Sequence, residues 1–407
     1  MGDTMYKGVW IHPWDFSKDA ISKISHYGFT HTSLAVRYIE ERQNWPGPNI
    51  IFQNSKKRTY TSEENAVYWM PNKERYLHLP PQLRPEPSKE IKEDIVEKFI
   101  KACEENSIKS VLWFPTLRWE KAVRDSLDFG VKDVYGSHPG YKRMFLCPSN
   151  PLVRETLSLM VEELSEKYEF DEFEFDFIRY PEIPSTYGTP LLNLALSPCF
   201  CEHCKAEALK HGLDLEEVRE TFKAIVEWHV EYLPNSYYCE DEDYLEAMYL
   251  EFTKEIIENE VIKEWLKFRA EQIRIILKEL SKIIRKNNPK AQMSADLYPP
   301  SGSWLLGQDY KKLVEILDAV KIMIYVKPFR RSICRIPYET RIARRYLKNK
   351  LLILGLASWP PTTPKDIEEQ LKLALDSPID GVSFYSYGWT PEKNFLKIKE
   401  LFKRWKI

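Results

Sequence analysis

Three carboxylates at alternate positions, Glu172, Glu174 and Asp176, stand in the run Phe170-Asp171-Glu172-Phe173-Glu174-Phe175-Asp176-Phe177-Ile178-Arg179-Tyr180-Pro181. Read as a strand with a side-chain period of two, the run turns the acids to one face and the phenyl rings to the other. An isolated ionised carboxylate is too costly to bury in an apolar core. The acidic face must therefore meet water, cations or a substrate. In a helix-covered parallel barrel, that place is the axis with its open C-terminal mouth. The strand is expected to stop at Tyr180-Pro181, which puts Asp176 near that mouth. An edge strand with a solvated acidic face is the plainer alternative.

The run Met293-Ser294-Ala295-Asp296-Leu297-Tyr298 supplies another acid near a strand end. Two carboxyl groups, one protonated and one ionised, are what cleavage of a glycosidic bond requires. Asp176 and Asp296 form the candidate catalytic pair. A cation such as Arg179 or Lys327 would hold Asp176 ionised, and burial beside Tyr298 would raise the pKa of Asp296. Glu174, one pleat deeper, is the third candidate, to bind a hydroxyl, orient Asp176 or act as second carboxyl group. A structural ion pair with a barrel cation is its alternative. The remaining strand ends offer substrate-binding candidates: His12 and Trp14, Arg37 beside Tyr38, Arg118, Arg179, Tyr298, Tyr325 and Lys327, Trp359, then Tyr387 and Trp389. Flat aromatic surfaces suit the apolar faces of sugars, and histidines are too scattered for a His-based catalytic metal site.

A different chemistry is written in Cys199-Phe200-Cys201-Glu202-His203-Cys204. Three thiolates in a C-x-C-x-x-C turn can surround a tetrahedral zinc. A fourth ligand must come from elsewhere: Cys147 beside the fourth strand, or His203, His211 or Cys239. Four protein ligands make a closed, structural site, whereas an open position would make a catalytic one.

Eight apolar or β-branched runs can position these groups: Lys7–Pro13, His31–Tyr38, Ser110–Arg118, Asp171–Tyr180, Ala291–Pro299, Ala319–Lys327, Leu351–Trp359 and Gly381–Trp389. Helical patterns follow them at Ser17–Tyr27, Ser88–Asn106, Pro151–Tyr168, Glu260–Asn287, Asp309–Leu317, Pro337–Lys348, Pro364–Leu375 and Pro391–Trp405. Eightfold strand–helix alternation predicts an α/β chain folded as a closed (β/α)8 TIM barrel. An open doubly wound sheet would advertise a Gly-rich phosphate turn after its first strand, where this chain reads His12-Pro13-Trp14-Asp15. Long insertions are expected after strands two, three and four (about 39–87, 119–149 and 182–258), on the side where barrel enzymes carry their sites. The reading is thus one barrel domain over residues 1–407, with an insertion subdomain at 182–258 carrying the cysteine motif.

The bulk numbers set bounds. A formal net charge of −2 over 407 residues gives no field to draw nucleic acid or an anionic membrane, and no local basic patch stands out. No membrane span or signal peptide is recognisable. Seven cysteines, three of them clustered, suit a reducing cytoplasm. Abundant Lys and Glu with little Gln suggest a thermophilic protein. Self-association into a homo-oligomer is compatible with all of this.

The run Cys147-Pro148-Ser149-Asn150-Pro151-Leu152-Val153-Arg154-Glu155, the fourth strand, and Cys199 to Cys204 together resemble the middle third of glycoside hydrolase family 42 β-galactosidases. That resemblance implies one zinc held by Cys147, Cys199, Cys201 and Cys204. The family's Asn-Glu pair ending strand four and its Glu on strand seven are absent, since the seventh strand reads Leu354-Gly355-Leu356-Ala357-Ser358-Trp359. From strand four to strand six the chain resembles glycoside-hydrolase-like barrels related to the α-amylase superfamily. The matching segments are Asp176-Phe177-Ile178-Arg179-Tyr180-Pro181, Ser294-Ala295-Asp296 and Asp318-Ala319-Val320-Lys321-Ile322-Met323-Ile324-Tyr325. This resemblance implies Asp176 as nucleophile and an acid/base on strand five, where amylase-type enzymes usually carry Glu. The expected activity is that of a glycoside hydrolase or transglycosidase in carbohydrate metabolism. A non-catalytic carbohydrate-binding barrel and a zinc-dependent hydrolase are the alternatives.

Overall fold

The structure, a computed structural model, describes residues 5–37, 66–89, 93–138, 144–182, 190–232 and 242–406. Tyr38 and Cys239 lie outside them. Eight parallel strands close into a barrel: β1 (Tyr6–Ile11), β2 (His31–Ala35), β3 (Lys109–Pro115), β4 (Glu172–Asp176), β5 (Gln292–Leu297), β6 (Ala319–Met323), β7 (Leu351–Ala357) and β8 (Gly381–Tyr385). Neighbours in sequence are neighbours in space, and β8 pairs with β1 to complete the ring. The helices α1 (Lys18–His26), α2 (Ile95–Glu105), α3 (Pro151–Lys167), α4 (Glu260–Asn287), α5 (Tyr310–Leu313), α6 (Arg335–Leu347), α7 (Pro364–Leu375) and α8 (Glu392–Arg404) follow the strands in turn. This is the (β/α)8 barrel expected from the alternation.

Local signals set the helix starts. Asn150 caps α3 by accepting from the amides of Leu152 and Val153, with Pro151 at the first helical position. Thr363 and Asp366 form a capping box at α7. Two expected helices are shorter than their patterns. Asp94 caps α2 at Ile95 rather than at Ser88, and α5 is a single turn, because Leu317 already leads into β6.

Most strands also end sooner than their apolar runs. In β4 the last strand residue is Asp176 itself, because Phe177 takes a positive φ of 50° that breaks the pleat. The alternation continues to Tyr180 in sequence but not in space. Phe173 and Phe175 pack outward with no exposure, in the main apolar core. On the axis side, Gly355 of β7 leaves room for a neighbour: a Cβ there would lie 3.2 Å from the Ile322 carbonyl oxygen and 3.4 Å from the Trp10 ring.

Long connections leave β2, β3 and β4 as expected. The third holds helices Pro190–Ala195, Glu202–Lys210, Leu215–Tyr232 and Glu242–Glu258 before α4. Among the described residues no helix is long and apolar enough to cross a membrane.

Candidate active site

The three β4 carboxylates descend the barrel axis and meet different partners. Lowest is Glu172, which accepts from Tyr6 Oη at 3.1 Å and from the Ser294 hydroxyl, and which pairs with Lys321 Nζ at 2.8 Å. Glu174, the middle one, accepts from Ser33 Oγ at 2.6 Å, from Trp10 Nε1 and from the same Lys321. Lys321 projects inward from β6 with no exposure and contacts both acids. Burial works to lower its pKa, yet the two carboxylates hold it well above the ordinary lysine value. Burial likewise works to raise Glu172, but Lys321 keeps it below the usual carboxylate value. The cation that the two lower acids demand is therefore Lys321, whereas Arg179 stands beside Asp176 and Lys327 pairs elsewhere, with Asp366.

Asp176, at the top of the ladder, lines a cavity of about 380 Å³ at the C-terminal mouth. Its carboxylate accepts from Trp113 Nε1 at 3.0 Å and from the Phe177 amide at 2.6 Å. The Arg179 guanidinium lies 3.7 Å away. Burial pushes Asp176 up to about 6, against the opposing pull of Arg179 and those hydrogen bonds. Asp296 of β5 lines the same cavity and is held differently. It is 2% exposed, and its Oδ1 finds no hydrogen-bond partner among the described residues. Burial, then the charges of Glu174 and Asp176, push its pKa well above the usual value. Register continues this relationship along the backbone, since Phe175 pairs with Ala295 one residue below.

Across from the acids stands an aromatic wall. Tyr325, Trp359, Tyr385 and Trp389 all line the cavity. Tyr325 and Trp359 meet edge to face at 5.1 Å, and Tyr385 meets Trp389 edge to face at 5.3 Å. Arg179 and Tyr298 also line it, with the guanidinium 5.0 Å from the Tyr298 ring. Such a mouth can hold a ring between flat hydrophobic faces and two unlike carboxyl groups.

Seven residues singled out from sequence do not line the cavity. Glu174 lies beneath it, bonded to Trp10, which itself borders the space. His12 is fully buried between Trp14 and Trp389, with ring centroids at 4.9 and 5.7 Å, and it contacts Tyr385 Oη through Nε2 at 3.2 Å. Burial lowers its pKa to about 3, so it is neutral and braces the wall. Trp14 is the outer layer of that stack. Arg37 donates to the carbonyls of Pro115, Thr116 and Arg118, clamping the end of β3. Arg118 pairs with Glu120 at 2.9 Å, and Lys327 with Asp366 at 3.0 Å. Tyr387 donates its amide to the Trp10 carbonyl and packs on Phe395.

Conversely, Trp10, Trp113, Phe177, Glu182, Met323, Phe329 and Arg331 border the cavity without having been singled out, and Tyr385, a strand-end candidate of the eighth strand, borders it too. Trp10 and Trp113 sit inside apolar runs that carry no sign of which face looks inward. Lys321 had a visible signal: a lone lysine in Ala319-Val320-Lys321-Ile322-Met323 at an inward position.

Beside this site, Cys147 from the β3 connection joins Cys199, Cys201 and Cys204 from the β4 connection. All four are buried, with their sulfurs within 4.8 Å of one another. Cys147 Sγ is 3.4 Å from Cys201, 3.5 Å from Cys204 and 3.9 Å from Cys199. A tetrahedral zinc with bonds of about 2.3 Å would set sulfurs about 3.8 Å apart, so the donor set fits that ion. His203 and His211 are not part of the cluster.

No protein-family model matches this chain, and no curated protein matches it in sequence. Solved structures of similar shape include glycoside hydrolases. A β-galactosidase from Halorubrum lacusprofundi aligns with a TM-score of 0.60 at 12% identity, over 99% of this chain and 58% of its own. A β-galactosidase from Marinomonas ef1 gives 0.57 at 13%, over 99% of this chain and 60% of its own. The catalytic domain of a β-amylase from Paenibacillus polymyxa gives 0.57 at 12%, over 97% of both chains. The chain thus spans about three-fifths of the β-galactosidases. Identities this low establish a shared barrel alone.

Proposed function

We propose that the protein is a glycoside hydrolase whose carboxyl pair is Asp176 and Asp296. The observation that carries this reading is the contrast between two acids on adjacent strands that border one cavity. Asp176 faces a guanidinium and two N–H donors, which favour its ionised form. Asp296 is buried against other carboxyl groups, which favours its protonated form. Environments that push two neighbouring pKa values apart divide the roles of acid and base.

In this mechanism Asp296 donates its proton to the leaving glycosidic oxygen, while Asp176 stabilises or attacks the anomeric carbon. Strand neighbours at the same level have backbones about 4.8 Å apart, which suits the short carboxyl separation of a retaining enzyme. Asp176 would then carry the glycosyl ester, and Asp296, now ionised, would draw a proton from the incoming water or sugar hydroxyl. A sugar acceptor makes the same step a transglycosylation. Tyr325, Trp359 and Trp389 would pack the apolar faces of the substrate ring, and Arg179 would hold Asp176 ready.

Cys147, Cys199, Cys201 and Cys204 would hold zinc with all four positions filled by sulfur, which makes the ion a cross-link and not a Lewis acid for the reaction. The similarity in shape to β-galactosidases and a β-amylase supports a carbohydrate substrate. The test is a panel of aryl glycosides and oligosaccharides, with Asp176→Asn as control. Cleavage of a panel member by the native chain and none by the variant is the expected result. Equal rates in both would remove Asp176 from the chemistry.

A further inference from the structure

The near-neutral total charge conceals a local field. Residues 327–350 carry nine Lys and Arg against a single Glu, in a chain whose formal net charge is −2. Part of this excess is structural, since Lys327 pairs with Asp366, Arg335 with Glu339 and Arg344 with Asp380. Arg330, Arg331, Arg341 and Arg345 are exposed and form no ion pair among the described residues. Cations in the last turn of α6 complement its dipole, which accounts for Arg344 and favours Arg345. Arg330 and Arg331 precede its first turn, where the same field opposes them. Fold stability gives no reason for that pair.

Position gives one. Arg331 and Phe329 line the cavity mouth, and α6 starts just beyond them. Inside the cavity Arg179 is 5% exposed, and its Nε and Nη1 find no hydrogen-bond acceptor among the described residues. Outside, a groove of about 330 Å³ runs along α6. Tyr338, Arg341, Ile342 and Arg345 border it, at the three- and four-residue spacings that form one helix face. Phe329 and Tyr338 are 56% and 61% exposed, so flat rings alternate with guanidinium groups along this path. From Cys334 to Arg345 it covers about 16 Å at the helical rise per residue, enough for about three sugar units.

We propose that the substrate of the cavity is an acidic glycan, whose chain leaves past Phe329 and Arg331 and lies along the Tyr338–Arg345 face of α6. The inference rests on the glycosidase reading of the cavity and adds the charge of the substrate. Aromatic faces take the sugar rings, and the planar guanidinium forks take carboxylate or sulfate groups in bidentate fashion. A neutral glycan would leave Arg331, Arg341 and Arg345, which border the cavity and the groove, without an anionic partner.

Affinity electrophoresis of the full chain tests this, in native gels containing polygalacturonate, dextran sulfate or uncharged dextran. Retardation by polygalacturonate, by dextran sulfate or by both, with none by dextran, is the expected result, and the two acidic arms tell carboxylate from sulfate recognition. Arg341→Ser combined with Arg345→Ser should weaken acidic binding by about tenfold or more, with the fold retained and the melting temperature lowered by only a few degrees through the lost helix-end cation. Equal retardation by dextran, or undiminished binding in the double variant, overturns the proposal. Displacement of the glycan by an equal charge of single-stranded DNA at lower concentration also overturns it, in favour of nucleic acid. If neutral aryl glycosides are cleaved but acidic chains do not bind, the activity stands and this inference falls. If acidic chains bind through these arginines but no glycoside is cleaved, the ligand class stands and the activity falls.

Discussion

Asp176 and Asp296 stand level on β4 and β5, one residue past the register pair Phe175–Ala295, and both border the cavity at the barrel mouth. Their surroundings differ although their backbones are neighbours. Arg179 and two N–H donors address Asp176, whereas Asp296 faces Glu174 and has an oxygen without a partner. A pair of identical side chains thus acquires unlike proton affinities from the strands on either side.

Asp176→Asn should lower turnover by at least about 10³-fold on any glycoside the native chain cleaves, because an amide cannot attack or carry the charge. Ligand binding should survive. Asp296→Asn should cost about 10²–10⁴-fold on natural glycosides and much less on aryl glycosides with good leaving groups, which need little protonation. Paired measurement on both substrate types checks the assignment. Equal losses on the two would remove Asp296 from the acid role.

The pH profile follows from the same groups. Asp176 must be ionised, so activity should fall as pH drops through about 6, and it should fall again at higher pH as Asp296, whose pKa burial and neighbouring carboxyl groups raise, loses its proton. Stability has the opposite sign at the acid limb. Asp176 has a folded pKa above its unfolded value, so the folded state binds its proton more tightly, and stability declines as pH rises from about 4 to about 6. Asp176→Asn should therefore raise stability at pH 7 by about 2–3 kcal/mol and change it little near pH 4. Denaturant titrations at the two pH values read this out.

Lys321→Met should be severe, because it strands Glu172 and Glu174 in a dry interior. A loss of about 3–5 kcal/mol is expected from an uncompensated buried charge. Adding Glu172→Gln and Glu174→Gln should restore much of it. If the single variant melts like the native chain, the barrel interior is wetter than the contacts imply.

Metal analysis of protein purified without chelator should find one zinc per chain. Cys204→Ser should lower zinc occupancy and the melting temperature together. Turnover per folded molecule should persist under brief chelation, since four thiolates leave no position for a reacting water. Loss of turnover ahead of loss of fold would indicate a catalytic metal.

Much of the barrel was legible because its signals are local and periodic. The Phe/acid alternation of residues 172–176 fixed which face of β4 looks inward, and the C-x-C-x-x-C turn marked three of the four clustered thiols. Strand ends were less legible. Phe177 continues the pattern in sequence, yet its positive φ turns the chain away, and backbone conformation of that kind leaves no trace in residue type. Trp10 and Trp113 were hidden for another reason. A parallel strand apolar on both faces has no polarity contrast, so an indole aimed at the axis looks like one aimed at a helix. The arginines at 330, 331, 341 and 345 were hidden by summation, since acids elsewhere cancel them in the total.

Lys321 has a consequence for how the strands find one another. Side chains alternate with a period of two, so a slip of β4 by one residue would turn Phe173 and Phe175 to the axis and drive Glu172 and Glu174 beneath the helices. The ammonium on β6 opposes such a slip, for it reaches both acids across the intervening β5. A misaligned barrel would strand three charges at once, so this buried triad favours the native alignment over a slipped one.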